Sequence, residues 1–194
     1  LMWYTKTSRV DLQLHCGIMK TKLTLLLLIG VNLLLNSGCE KVVEESELNF
    51  RNDKFYPVNS DTPYTGRIVS YYENGQLSES GNYIDGIKEG PFVTYYENGQ
   101  LKDTGHYKEG YKDNIWELYY ENGQLWSSGN YRDGELDGLI KSWYDNGKLF
   151  LIRNYKDGKL DGLYEWYYEN GQLLRSKNYK DGELDGLSEW YYKK

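Results

Sequence analysis

A 24-residue period dominates this chain. The string Tyr71-Tyr72-Glu73-Asn74-Gly75-Gln76-Leu77 recurs unchanged from Tyr95, Tyr119 and Tyr167. It recurs varied as Trp143-Tyr144-Asp145-Asn146-Gly147-Lys148-Leu149 and begins once more at Tyr191-Tyr192. A second element, Asn82-Tyr83-Ile84-Asp85-Gly86, keeps the same step from Asn130, Asn154 and Asn178. A fixed period of this size, with no insertion, means an array of like supersecondary units, each burying its apolar residues against the next. Architecture is therefore far more legible here than chemistry.

Asn-Gly between aromatic and β-branched residues is a strong hairpin signal. A two-residue type I′ turn at Asn74-Gly75 predicts Tyr72 opposite Leu77, Ser70 opposite Glu79, Ile68 opposite Gly81 and Gly66 opposite Tyr83. A second, six-residue turn over Asp133-Gly134-Glu135-Leu136-Asp137-Gly138 sets Tyr131 opposite Gly138. Position 114 is Asn where the other units carry Gly66, Gly90, Gly138, Gly162 and Gly186, which fits a demand for positive φ. The rings of Tyr83, Tyr107, Tyr131 and Tyr155 are expected over these flanking glycines, as aromatic cover for bare strand positions. Both turns give one face parity. Tyr72, Leu77 and Tyr83 and their equivalents, with Phe92, Trp116, Ile140 and Tyr164, form the face expected to pack. The expected fold is all-β, an elongated single-sheet antiparallel β-meander of 24-residue hairpin repeats. A helical reading fails on the Gly and Asn content and on the missing 3.6 period.

Four segments are expected: 1–18 as an upstream extension, 19–38 as a signal peptide, 39–54 as an acidic tether and 55–194 as the array. Lys20 and Lys22 precede an apolar run at 23–35, the pattern of an export signal. At ~1.5 Å per residue that run spans about 20 Å, short of the ~30 Å hydrocarbon core. Its end, Leu35-Asn36-Ser37-Gly38-Cys39, resembles the lipobox of bacterial lipoproteins, with Asn36 standing where Leu is usual. The resemblance implies diacylation of Cys39 and a place in the cell envelope: an outer-membrane lipoprotein in a diderm cell, otherwise membrane-anchored or secreted. Residue 40 is Glu, not Asp, so by that family's rule nothing retains the protein at an inner membrane. Plain secretion is the alternative. Cys39 is then the sole cysteine of the mature protein, which leaves no partner for an intramolecular disulfide.

The chain has 23 basic and 29 acidic residues. Removing Lys6, Arg9, Lys20, Lys22 and Asp11 with the signal leaves 19 and 28, a net charge of −9. Nucleic acid is not an expected partner of so acidic a chain, because phosphate neutralisation dominates that affinity. Anionic lipid headgroups are disfavoured on the same ground. Past the signal the only histidine is His106, which takes the place of Asn82 beside a repeat Tyr and reads as structural. No serine–histidine–carboxylate set, phosphate-cradling glycine loop or zinc site can be assembled. The expectation is a non-enzymatic protein without metal or cofactor. The carboxylate pairs Asp133/Asp137, Asp157/Asp161 and Asp181/Asp185 fit turn chemistry, with a calcium ladder as the alternative.

The alternation of Tyr-x-Asp-Gly-x-x-Asp-Gly with Tyr-Tyr-x-Asn-Gly-x-Leu resembles the bacterial variant of MORN repeats, from about Phe55 to the C-terminus. Proteins of that family are often labelled antitoxin components of toxin–antitoxin systems. The resemblance implies an interaction module acting on a protein partner, here in the cell envelope. Trp166-Tyr167-Tyr168 and Trp190-Tyr191-Tyr192 more weakly resemble choline-binding repeats, which makes peptidoglycan or another glycan the alternative partner.

The binding surface is expected where the second face turns apolar. There Tyr119 faces Trp126, Trp143 faces Phe150 and Tyr167 faces Leu174, with Trp126 also facing Trp143 across repeats. Exposed Trp and Tyr clusters mark interaction sites. For the anchor, Cys39→Ser is expected to move the protein into the soluble fraction, while the wild type takes up a palmitate analogue. A wild type that incorporates no label would leave plain secretion standing.

Overall fold

The computed structural model describes residues 41–192, so the segment expected as a signal peptide and Cys39 lie outside the described residues. It opens with β1 (Val42–Glu44), a 3-10 turn (Glu45–Glu47), β2 (Leu48–Arg51) and β3 (Lys54–Pro57). The array follows as β4 (Gly66–Tyr71), β5 (Leu77–Ile84), β6 (Ile87–Tyr95), β7 (Leu101–Lys108), β8 (Tyr111–Tyr119) and β9 (Leu125–Arg132). It continues as β10 (Glu135–Leu136), β11 (Gly138–Trp143), β12 (Leu149–Lys156), β13 (Lys159–Tyr167), β14 (Leu173–Lys180) and β15 (Glu183–Trp190). From β4 onward each strand pairs antiparallel with the next in sequence, β10 and β11 acting as one strand interrupted at Asp137. The expected all-β meander is the observed architecture.

The two-residue type I′ turn is found at Asp-Gly and not, as expected, at Asn-Gly. At Asn74-Gly75, Gly75 N donates to the Tyr72 carbonyl at 2.9 Å and Tyr72 N donates to the Gln76 carbonyl at 2.8 Å. Gly75 has φ +82° whereas Asn74 is not left-handed. This is a three-residue loop, a type I turn closed by a glycine bulge. Asn74 holds it through its side chain, Oδ1 accepting from Gln76 N at 2.9 Å. Tyr71 therefore stands opposite Leu77, not Ser78, although the far register (Gly66/Tyr83, Ile68/Gly81, Ser70/Glu79) is as expected. The two-residue type I′ turns are at Asp-Gly: Asp85 has φ +48° and Gly86 +77°, with Ile84 opposite Ile87. Tyr131 consequently pairs with Leu136, not Gly138. A bulge then restores the register, with Asn114 left-handed at φ +60° as its place among glycines predicts.

Packing of the array relies on a different set of glycines from the one expected. Gly81, Gly105 and Gly129 have extended backbone, and they lie opposite Phe92, Trp116 and Ile140. A methyl group at any of the three would fall inside the facing side chain. The rings thus lie flat in notches of the neighbouring strand. Trp116 is only 1% exposed, although its cover comes from within its own sheet. Tyr107 stands edge-on to it at 5.1 Å, Phe92 is 6.1 Å away, the Lys112 ammonium caps it at 4.0 Å, and its Nε1 donates to the His106 carbonyl at 3.1 Å. Tyr83, Phe92, Trp116 and Ile140 are all buried on this packed face, as expected.

Residues 41–54, expected as a tether, are folded. β1 pairs in parallel with β4, Val43 beside Ile68, and β2 and β3 form a separate hairpin. Val43, Leu48 and Phe55 cover the buried cluster of Tyr64, Ile68 and Tyr83, with Phe55 edge-on to Tyr83 at 5.3 Å. The hairpin is tied to the first type I′ turn by Phe55 N donating to the Gly86 carbonyl at 3.1 Å. Full burial of side chains of this size contributes roughly 1.5–3 kcal/mol each; Val43 and Leu48, partly buried against the cluster, gain a share of that and favour the fold-back of this acidic segment.

Gly105→Ala is expected to lose roughly 1–3 kcal/mol by overpacking against Trp116. Gly171→Val, at φ +88° in open space, is expected to lose at least ~1 kcal/mol through backbone strain alone. Urea unfolding measures both. Neutral outcomes would reject the notch and the bulge respectively.

Candidate interaction surface

One edge of the sheet is stitched from repeat to repeat by side chains. The second Tyr of each pair donates its hydroxyl to the carbonyl of the first aromatic of the next unit: Tyr72 to Tyr95 at 2.6 Å, Tyr96 to Tyr119 at 2.7 Å, Tyr120 to Trp143 and Tyr144 to Tyr167 at 2.8 Å. Asn74, Asn98 and Asn122 each donate Nδ2 to a carbonyl of the next loop, Glu97, Glu121 and Asp145, at 3.2 Å. The repeated Tyr and Asn thereby fix the backbone of Tyr119, Trp143 and Tyr167.

Strand alternation puts all six expected binding residues on the face opposite the packed one. Their contacts differ from the expected pairs because of the glycine bulges. Tyr119 stands opposite Leu125, which leaves Trp126 in the bulge, and Tyr167 stands opposite Leu173. The ring of Trp126 lies 6.3 Å from Tyr120, and that of Phe150 lies 4.9 Å from Tyr144. Each ring contact is within its own hairpin, not from Trp126 to Trp143. Trp126 is 44% exposed, while Tyr119, Trp143, Phe150, Tyr167 and Leu174 are half-buried.

The same face carries a row that the sequence reading passed over. Ile115, Leu139, Leu163 and Leu187 occupy one position of successive repeats and are 59%, 48%, 42% and 82% exposed. Equivalent residues stand two strands apart, about 10 Å, and form an apolar ridge. The first three pair with Asn130, Asn154 and Asn178. Asn130 and Asn154 have another task, donating Nδ2 to the carbonyls of Asp137 and Asp161 at 3.0 and 2.6 Å across the bulges. In earlier repeats the ridge position holds Arg67 and Pro91. The apolar row thus starts at the third unit, where the aromatic patch also starts.

Among the described residues, no group of three or more His, Cys, Asp or Glu side chains is placed to hold a metal ion. His106 is exposed. Two perturbed hydroxyls flank the patch. Tyr119 donates to Glu117 at 2.7 Å and Tyr167 donates to Glu165. Burial, then the adjoining carboxylate, pushes each phenol up to about 12. A raised folded-state value means the unfolded chain ionises first. Stability present below pH 10 is therefore expected to fall as pH rises from about 10 to 12. Tyr119→Phe and Tyr167→Phe should make that fall shallower in alkaline unfolding curves. An unchanged slope would reject the assignment.

Comparison with curated proteins returned no match. The description "MORN repeat variant" matches residues 64–85, 88–109, 112–133, 136–157 and 160–181. These five matches of 22 residues cover 110 of 194, and each spans one Tyr/Trp-Tyr-x-Asn-Gly hairpin up to the Asp or Glu that precedes the glycine of the next turn. The chain belongs to the MORN repeat variant family, a family of non-catalytic repeat modules.

Proposed function

We propose that this protein is a non-enzymatic binding module of the cell envelope, exported, anchored by lipid at Cys39, and acting on a protein partner through the face that carries Trp126 and the Ile115–Leu139–Leu163–Leu187 row. The ridge carries this reading. Isolated apolar residues on a surface need no explanation, but an aligned row sharing its face with an aromatic patch is the composition of an interaction site. The packed face already buries the rings that stabilise the sheet, so the apolar side chains opposite are available for recognition. Glu117, Glu165 and Glu189 on the same face supply a charged rim that would favour a partner with basic residues around an apolar centre. The antitoxin label implied by the resemblance fits the same mode of action, neutralisation by occupying a partner's surface.

The test is capture from solubilised envelope with the purified full chain, followed by crosslinking from the ridge. Trp126→Thr/Trp143→Thr and Leu139→Thr/Leu163→Thr are each expected to abolish capture with the β-sheet circular dichroism unchanged. Unfolding of both variants would make the face part of the core, and undiminished capture by both would move the site elsewhere.

A further inference from the structure

The packed face changes its electrostatic character along the array. The strand position held by Gly81, Gly105 and Gly129 in the early repeats is taken by Arg153 and Lys177 in the last two. The neighbouring position runs Glu79, Asp103, Ser127, Leu151 and Arg175. Early in the array, cations are balanced on this face: Lys88 pairs with Glu79 at 3.6 Å. At the far end, among the described residues, no carboxylate lies within ion-pair distance of Arg153, Arg175 or Lys177. The Arg153 Nε is buried and has no hydrogen-bond partner.

These cations are interleaved with rings. The Arg175 guanidinium lies 4.0 Å from the centre of Trp190 and 5.7 Å from that of Trp166. Lys177 is 5.8 Å from Trp166, which lies 4.0 Å from Tyr164. Arg175 reaches one hydroxyl, Ser188 Oγ, from both Nε and Nη2 at 3.3 and 3.2 Å, the long end of hydrogen bonding. Trp190 is 58% exposed on the edge strand. We infer that this cation–aromatic platform on β12 to β15 is a binding site for a carboxylated saccharide, a sugar ring stacking on Trp190 or Trp166 while its carboxylate meets Arg175 and Lys177.

The charge count selects that class. A nucleic acid strand is held by neutralising many phosphates along its length, and this face offers only Arg153, Arg175 and Lys177. Anionic membranes are bound by clusters of roughly four to eight Lys and Arg, more than this face offers. An extended peptide is captured at a sheet edge or in a groove, whereas this is the face of a sheet. One carboxylate per ring suits a few cations spaced among aromatic side chains. The platform lies on the opposite face from the apolar ridge, so it stands or falls independently of the protein partner.

The experiment is calorimetric titration of the full chain with oligogalacturonate, using its methyl ester as an uncharged ligand with the same rings. The wild type is expected to bind the acid and not the ester. Arg175→Gln/Lys177→Gln should weaken binding at least about tenfold, the loss typical of a charged hydrogen bond. Lys156→Gln/Lys180→Gln, cations of the same repeats on the other face, should change nothing. Should the first pair unfold the sheet, Trp190→Thr, on an exposed strand, carries the same expected loss. No binding by the wild type, equal binding of the ester, equal loss in the control pair, or a preference for phosphatidylglycerol vesicles would each overturn the site.

Discussion

A sheet with water on both sides must find cover for its apolar side chains within its own thickness. Past the N-terminal hairpin this sheet does so by removing a side chain from one strand and laying the neighbour's into the space. Phe92, Trp116 and Ile140 rest on Gly81, Gly105 and Gly129, and the tyrosines at 83, 107 and 131 stand beside them. The glycines have extended backbone, so their role is the absence of Cβ and not access to unusual torsions. Each notch exchanges the strand-weakening entropy of glycine for a ring removed from water, a trade that aromatic burial favours.

Ties between successive units make a row of notches into one body. Tyr and Asn side chains bridge repeats along one edge, and backbone bonds do so along the other, such as Gly134 N to the Lys112 carbonyl at 2.9 Å and Gly158 N to the Leu136 carbonyl at 2.9 Å. With both edges clamped and one face packed, the remaining face holds few of the buried side chains. That division of labour lets Ile115, Leu139 and Leu163 stay exposed in a sheet whose opposite side is dense. In the last two repeats glycine gives way to Arg153, opposite Tyr164, and to Lys177, opposite Ser188.

Face parity and far register were legible because strand alternation and the 24-residue step constrain them together. Turn type was not. Asn-Gly and Asp-Gly are both hairpin signals, and only the loop hydrogen bonds show that Asn74 acts through its amide while Asp85 takes positive φ. The bulges in the Asn-Gly loops displaced the expected pairs Tyr119/Trp126, Trp143/Phe150 and Tyr167/Leu174, and the ring of Trp126 rests on Tyr120. The acidic start of the domain was misread because parallel pairing of β1 with β4 requires no turn signature. The ridge escaped notice for a related reason. Its members are 24 residues apart in the chain and come onto one line only in the folded sheet.

Hydrogen bonds that reach from residue i to i+23, and no further, give the array the properties of a ruler. Gene duplication of one unit would add a complete notch, a complete clamp on each edge and one more tooth to the ridge. No existing contact would have to be redrawn except at the join. The sheet can thus be lengthened in steps of about 10 Å without inventing a new core, and recombination between near-identical units can shorten it again. The unvaried period of this chain is what keeps such steps in phase.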